Sequence, residues 1–183
     1  MIVGSRNTIA APLTQTLNST GYEFVSWSDG GAAQHDVIAS ATPATYTATY
    51  QPAPAGCTSG QWKASYFANQ TLSGAAAGER CEAALDYNWG GGSPTSAGVG
   101  PDNFSVRWVA IRSFATTGAY TFTATADDGM RVYLDGALVI DQWKDQSATT
   151  YTASRTVTAG NHEVKVEYYE NGGDAVAKVA IAR

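Results

Sequence analysis

Two adjacent carboxylates, Asp127 and Asp128, are the residues of this sequence best suited to bind a ligand. They interrupt residues 120–145, where apolar side chains alternate with threonines or polar residues, and a period of two predicts strands with one buried face. Neighbouring side chains on a regular strand point to opposite faces, so both carboxylates converge only where the backbone is distorted. Hard cations such as calcium take several oxygen ligands. The simpler alternative is a solvated Asp127 beside a turn at Asp128-Gly129, and the two residues alone favour that turn.

The composition of the chain predicts an all-β protein. Thr, Ala, Gly, Val and Tyr are abundant among the 183 residues, and helical periodicity is hard to find. The formal net charge is -5, only 15% of residues are charged, and no basic patch stands out, so nucleic acid is not an expected partner. No run of 18 apolar residues exists, which argues against membrane insertion. The N terminus lacks the pattern of a signal peptide, and we expect the chain to be part of a longer extracellular protein.

The two cysteines, Cys57 and Cys81, are too far apart in sequence for a redox motif or a zinc knuckle of the C-x-x-C type. A single disulfide between them is the simpler interpretation, and it implies an oxidising, secreted location. Two buried free thiols are the alternative.

Turn signals and composition divide the chain into two β modules. Residues 1–51 contain strand patterns at 22–27 and 45–51, residues 52–56 form a Pro/Ala linker, and residues 57–183 form the second module. The second module contains regularly spaced short strands separated by turn signals, which is typical of a β-sandwich or jelly roll.

The first module resembles the small β-sandwich repeats that act as spacers in secreted bacterial multidomain enzymes. The resemblance rests on FVSWSDGGAAQHDVI at residues 24–38 and YTATYQ at residues 46–51. Such repeats usually begin with a strand before the VGS run at residues 3–5. That strand is absent here, so we expect a truncated module.

The second module resembles the PA-fourteen (PA14) domain, a family named after the anthrax protective antigen. The matching blocks occur in the family's order from about residue 61 to residue 182. They are WKASYF, LDYNWGGGSP, GPDNFSVRW, TGAYTFTATADDGMRVYLDG, IDQW and TAGNHEVKVEYYENGGDA. This resemblance implies a β-sandwich close to a jelly roll.

The resemblance also implies a calcium site. In the sugar-binding members, two aspartates joined by a cis peptide hold calcium, and a loop before the last strand adds an Asn side chain and backbone carbonyls. Carried over, these ligands are Asp127, Asp128, Asn171 and the carbonyl of Gly173. Asp174 of the same loop completes the predicted ligand site, where open calcium positions accept vicinal sugar hydroxyls. The loop itself offers no aromatic platform; Tyr169 and Trp89 are the nearest candidates, and we expect both to pack instead.

The predicted function is therefore calcium-dependent, lectin-like binding of a glycan or polysaccharide by a secreted bacterial multidomain protein. The alternative is a structural spacer or protein-interaction module that binds no sugar. We predict no enzyme activity. Asp127 and Asp128 lie too close together to act as acid and base on opposite sides of a glycosidic bond. The sequence also contains no nucleophile elbow and no His paired with a nucleophile.

Overall fold

The structure is a computed structural model that describes residues 3–17, 20–52, 56–58, 60–94 and 96–183. These ranges contain fifteen strands and no helix, which confirms the predicted all-β class. No helix in them is long and apolar enough to cross a membrane. The first five strands are β1 (Arg6–Ala10), β2 (Thr14–Leu17), β3 (Thr20–Trp27), β4 (Gln34–Ile38) and β5 (Ala48–Pro52). The other ten are β6 (Trp62–Phe67), β7 (Gly78–Glu82), β8 (Asp86–Gly90), β9 (Phe104–Phe114), β10 (Gly118–Asp127), β11 (Gly129–Leu134), β12 (Ala137–Gln142), β13 (Thr149–Val157), β14 (Gly160–Glu170) and β15 (Ala175–Ala182).

The ten later strands form the two antiparallel sheets of a sandwich. One sheet has the order β12-β11-β14-β9-β6-β7, and the other has the order β13-β10-β15-β8. Asp135 and Gly136 form the two-residue turn between β11 and β12, and both residues have positive φ. Strand β10 passes into β11 across the aspartate pair, so the chain changes from one sheet to the other at Asp128.

The period-two alternation of the long strands produces the core. Alternate residues of β9 and β14, such as Trp108, Val164 and Val166, are fully buried between the sheets. The four-stranded sheet contributes Phe122 and Ala124 to the same cluster. This packing holds the ends of β10, β14 and β15 in fixed positions, and the candidate site lies at those ends.

The first module consists of a two-stranded sheet, β1-β4, and a three-stranded sheet, β2-β3-β5. Its small core centres on Phe24, which is fully buried and lies against the rings of Trp27 and Tyr50. The carbonyl oxygen of Phe24 accepts a hydrogen bond from the side-chain amide of Asn161, so the module touches the sandwich at the start of β14. Residues 53–55 of the predicted linker lie outside the described residues, and the domain boundary remains a prediction.

Cys57 and Cys81 form the predicted disulfide, with their Cα atoms 5.4 Å apart. The bond joins the segment before β6 to the edge strand β7. It therefore anchors the entry of the chain into the sandwich.

Candidate metal centre

The aspartate pair lies where β10 ends. The peptide bond between Asp127 and Asp128 is cis. Carboxylate oxygens of Asp127, Asp128 and Glu170 all lie within 4.8 Å of one another. Asp128 is buried, while Asp127 is partly accessible. The two aspartates therefore share one site, and a third acid, Glu170, joins them.

Backbone N–H groups hold both aspartate side chains in place. The amide of Gln146 donates to Oδ1 of Asp128 and the amide of Asn171 donates to Oδ2, each at 2.9 Å. The amide of Ala148 donates to Oδ2 of Asp127, also at 2.9 Å. Hydrogen bonds of this type fix the orientation of the two carboxylates. The segment between β12 and β13 thus positions the acids before any ligand arrives.

Glu170 is the most buried acid of the site. It is the last residue of β14, on the same core-facing side as Val166 and Tyr168, and it has no exposed surface. The hydroxyl of Tyr168 donates to Oε2 of Glu170 at 2.8 Å, whereas Oε1 has no hydrogen-bond partner among the described residues. Because a buried carboxylate oxygen without a partner is costly, a ligand for this atom is expected.

Sequence reasoning missed Glu170, although a signal for it existed. The alternation of apolar residues through Val164, Val166 and Tyr168 continues to position 170, so a glutamate there must face the core. An acid on the apolar face of a strand is rarely buried without a partner, and this marks it as a candidate ligand.

The carboxylates of the site repel one another and are shielded from water by burial. Burial raises the pKa of Glu170 to about 7, against the hydrogen bond from Tyr168, and the charges of Asp128 and Asp127 raise it further. Burial also raises the pKa of Asp127, opposed by the amide of Ala148 and assisted by the charges of Asp128 and Asp174. A divalent cation would relieve both effects because it neutralises the accumulated negative charge.

The loop at residues 171–174 lies next to these acids and is held by further polar side chains. The side-chain amide of Asn171 donates to Asp145 at 2.9 Å, and its oxygen accepts from Gln70 at 2.8 Å. The amide of Gly173 donates to Asp102 at 3.2 Å. Of the predicted loop ligands, Asn171 touches the acids through its backbone amide, and its side chain binds Asp145 and Gln70 in this structure. Gly173 and Asp174 follow in the same loop. Asp102, Asp145, Gln146 and Gln70 were not expected from the sequence.

The aromatic residues near the site pack against the protein. Tyr169 is buried and its hydroxyl donates to Asp145 at 2.6 Å, and Trp89 stacks on Tyr87 with ring centroids 4.9 Å apart. Both residues therefore pack as expected. Trp143, which is half-buried, lies beside Tyr169 with ring centroids 4.7 Å apart, and the guanidinium of Arg131 covers it.

The donor set fits calcium. Every candidate ligand atom is an oxygen from a carboxylate, amide or carbonyl group, which suits a hard cation and does not suit zinc or copper. The unpartnered Oε1 of Glu170 supplies a structural reason for an ion at this place.

A two-sheet β-sandwich with an aspartate pair at the end of a core strand is the arrangement that the family resemblance implied. The PA14 domain family model matches residues 58–181, and the chain belongs to this family.

Two proteins are similar to this chain in sequence, and a third shares its fold. The chain is 39% identical over 101 residues to the anti-sigma-I factor RsgI3 of Acetivibrio thermocellus, a match that covers 55% of this chain and 16% of that protein. A solved anti-sigma factor domain-containing protein is similar at a TM-score of 0.63 and 34% identity, covering 68% of this chain and 43% of that one. The PA14 sugar-binding domain from an RTX adhesin shares the fold at a TM-score of 0.58 and 20% identity, covering 68% of this chain and 90% of that one.

Proposed function

We propose that the PA14 module binds calcium through Asp127, Asp128 and Glu170 and uses it to bind sugar hydroxyls. The observation that carries this proposal is the buried Oε1 of Glu170, which has no partner among the described residues and belongs to a carboxylate group next to two others. Calcium takes about 6–8 oxygen ligands, so three carboxylates leave positions for the 171–174 loop and for a ligand. The amide oxygen of Asn171 and the carbonyl of Gly173 are the further ligands that we propose.

The protein's own groups prepare the site for a polar ligand. Asp127 is partly accessible, and Asn171 and Asp174 are exposed, so an incoming sugar meets these three residues first. When bound, calcium would supply a positive centre that two neighbouring hydroxyls can coordinate. The backbone donors at Gln146 and Ala148 orient the carboxylates, which reduces the reorganisation that binding requires. The proposed role is non-catalytic.

The relatives support a larger setting for this module. The chain spans 16% of RsgI3 and 43% of the solved anti-sigma factor domain-containing protein, so the activity of those proteins does not transfer to it directly. The 39% identity to RsgI3 favours a second candidate role, in which the module is the interaction part of a longer regulatory protein and binds no sugar. The disulfide fits an extracellular position for the module in either case.

Titration calorimetry with calcium, followed by glycan binding with and without chelator, tests the first role. We expect calcium to bind the native chain and to be required for glycan binding. Asp128→Asn should weaken calcium binding at least tenfold and abolish glycan binding, whereas Asp141→Asn, which changes an exposed acid on β12, should not. Glycan binding that survives chelation would contradict the calcium mechanism. Calcium binding without any glycan binding would favour the second role.

A further inference from the structure

A groove of about 440 Å³ lies at the opposite end of the sandwich from the carboxylates. In the register of β9 against β14, Arg112 lies opposite His162 near one end of β9, and Phe104 lies opposite Glu170 at the other end. Eight residues of strand correspond to roughly 26 Å at about 3.3 Å per residue, so the two places are separate. Tyr120 of β10 and Ile181 of β15 also line the groove. Both strands have their opposite ends near the carboxylates, which places the groove and the carboxylates at different ends of the sandwich.

The inner wall of this groove carries an arginine that faces the core. Arg112 has the same parity on β9 as the buried Trp108 and Ala110, and it is half-buried. Its guanidinium lies 4.4 Å from the ring centroid of Trp62 and donates to the carbonyl of Gly60 at 2.8 Å. A guanidinium has five N–H donors, so this one retains capacity for a ligand. Burial lowers the pKa of Arg112, and no carboxylate opposes that effect.

A second guanidinium lines the same groove. Arg183 donates to the hydroxyl of Thr116 at 2.6 Å. Neither Arg112 nor Arg183 has a carboxylate partner in the part of the chain that the structure describes. The acid that lines the groove, Asp86, pairs with Lys178 at 2.9 Å. This region is therefore locally positive in a chain whose formal net charge is -5.

We propose that this groove binds the anionic group of an acidic saccharide, a sugar that carries a carboxylate or a sulfate ester. Planar guanidinium groups recognise such oxyanions by paired N–H donors. The lining combines the apolar side chains of Leu85, Phe114 and Ile181 with the hydroxyl of Ser113. A pyranose ring presents both an apolar C–H face and polar edges, which match that combination, and the volume suits one or two sugar rings.

This inference rests on the proposed glycan binding and extends it with a second, calcium-independent contact. A polysaccharide that carries both kinds of sugar could bind the calcium site and the groove at the same time, and the two contacts together would raise its avidity. Because the groove uses charge, its affinity should fall as salt rises, whereas the calcium site should respond to chelator.

Titration of the isotope-labelled full chain, followed by NMR in the presence of chelator, tests the groove alone. The probes are D-glucuronate, glucose 6-sulfate, glucose and a triglutamate peptide. We expect the two acidic sugars to shift the Trp62 indole and Arg112 side-chain signals and glucose to leave them unchanged. If D-glucuronate binds more tightly the groove prefers a carboxylate, and if glucose 6-sulfate binds more tightly it prefers a sulfate ester.

Variants separate the groove from the calcium site. Arg183→Gln and Arg112→Lys should each weaken D-glucuronate binding at least tenfold, and Arg112→Lys retains the charge beside Trp62, which guards against misfolding. Arg155→Gln, which removes a charge on β13, should change nothing, and Asp128→Asn should also leave groove binding intact. Equal shifts with glucose, tighter binding of triglutamate, or unchanged affinity in both groove variants would overturn the proposal. Loss of calcium binding alone would not affect it.

Discussion

The hydroxyl of Tyr168 donates a 2.8 Å hydrogen bond to Oε2 of Glu170, and the other oxygen of that carboxylate is buried without a partner. Tyr168 thus orients Glu170, which lies two residues further along the same face of β14 and beside the aspartate pair. The glutamate is held on one oxygen and available on the other. This is the arrangement expected of a ligand that is positioned before its ion binds.

Glu170→Gln should therefore weaken calcium binding at least tenfold, a loss of about 1.4 kcal/mol. The substitution keeps the shape of the side chain and removes the charge, so folding should survive. Calorimetry with calcium checks the affinity, and circular dichroism checks the fold. Glu163→Gln, which changes a more accessible acid on the same strand, is the matched control. Equal calcium affinity in native protein and Glu170→Gln would exclude Glu170 as a ligand.

Stability without calcium should fall as pH rises. The pKa of Glu170 is raised from its usual 4.5 to about 7 in the folded protein, so folding holds a proton that the unfolded chain releases. The resulting stabilisation is fully present below pH 4.5 and is lost as pH rises through 7, a change on the order of 3 kcal/mol. The pKa of Asp127 is also raised in the folded protein, so this group likewise makes stability fall as pH rises.

Thermal unfolding between pH 4.5 and 8, with chelator and with calcium, measures this effect. Calcium favours the ionised acids, so its addition should restore the melting temperature most strongly at high pH. Glu170→Gln should flatten the pH dependence in chelator. A melting temperature that rises from pH 5 to 8 in chelator would show that other groups dominate.

The strands of the sandwich were predictable because their alternation is strong, as in β10 and β14. The aspartate pair interrupts that pattern, but the two residues alone favour a turn, so only the family resemblance indicated a binding site there. Asp128 and Gln146 meet across 18 residues, and Gln70 reaches Asn171 across 101. Contacts of this kind join loops without periodicity, so no local pattern in the sequence indicates them. They depend on how the finished sandwich brings its loops together.

Gly129→Ala should disturb the site from the strand that follows it. A Cβ atom at position 129 would lie 2.0 Å from the Tyr169 ring, and that ring is buried. Moving the ring breaks its hydrogen bond to Asp145, which also holds the Asn171 side chain. Overpacking of this kind costs about 1–3 kcal/mol.

Calcium affinity and chemical denaturation measure the two consequences of Gly129→Ala. Both affinity and stability should fall. Gly100→Ala is the control, because its Cβ would meet only ordinary contact at 3.8 Å. Native-like affinity in Gly129→Ala would mean that the Tyr169–Asp145 contact does not support the site.

Removing the disulfide should destabilise the sandwich with little effect on the proposed calcium site. Cys57 and Cys81 are separated by 24 residues, and closing a loop of this size is worth about 3 kcal/mol in the chain-entropy model. The double variant Cys57→Ser, Cys81→Ser should unfold at lower denaturant and still bind calcium. Intact mass after alkylation without reductant should show no modified thiol in native protein. Two alkylated cysteines under those conditions would contradict the disulfide.

Asn161→Ala should loosen the first module from the sandwich. The side-chain amide of Asn161 donates to the buried carbonyl of Phe24, where the register of β3 against β5 shifts. Without that donor the carbonyl is left unsatisfied, at a cost of about 1–3 kcal/mol. Hydrogen exchange of β3 amides and limited proteolysis at residues 52–56 should both accelerate, while calcium affinity stays native because the contact lies at the far end of β14. Exposed Thr152→Ala is the control. Unchanged exchange and cleavage in Asn161→Ala would show that the two modules do not depend on this contact.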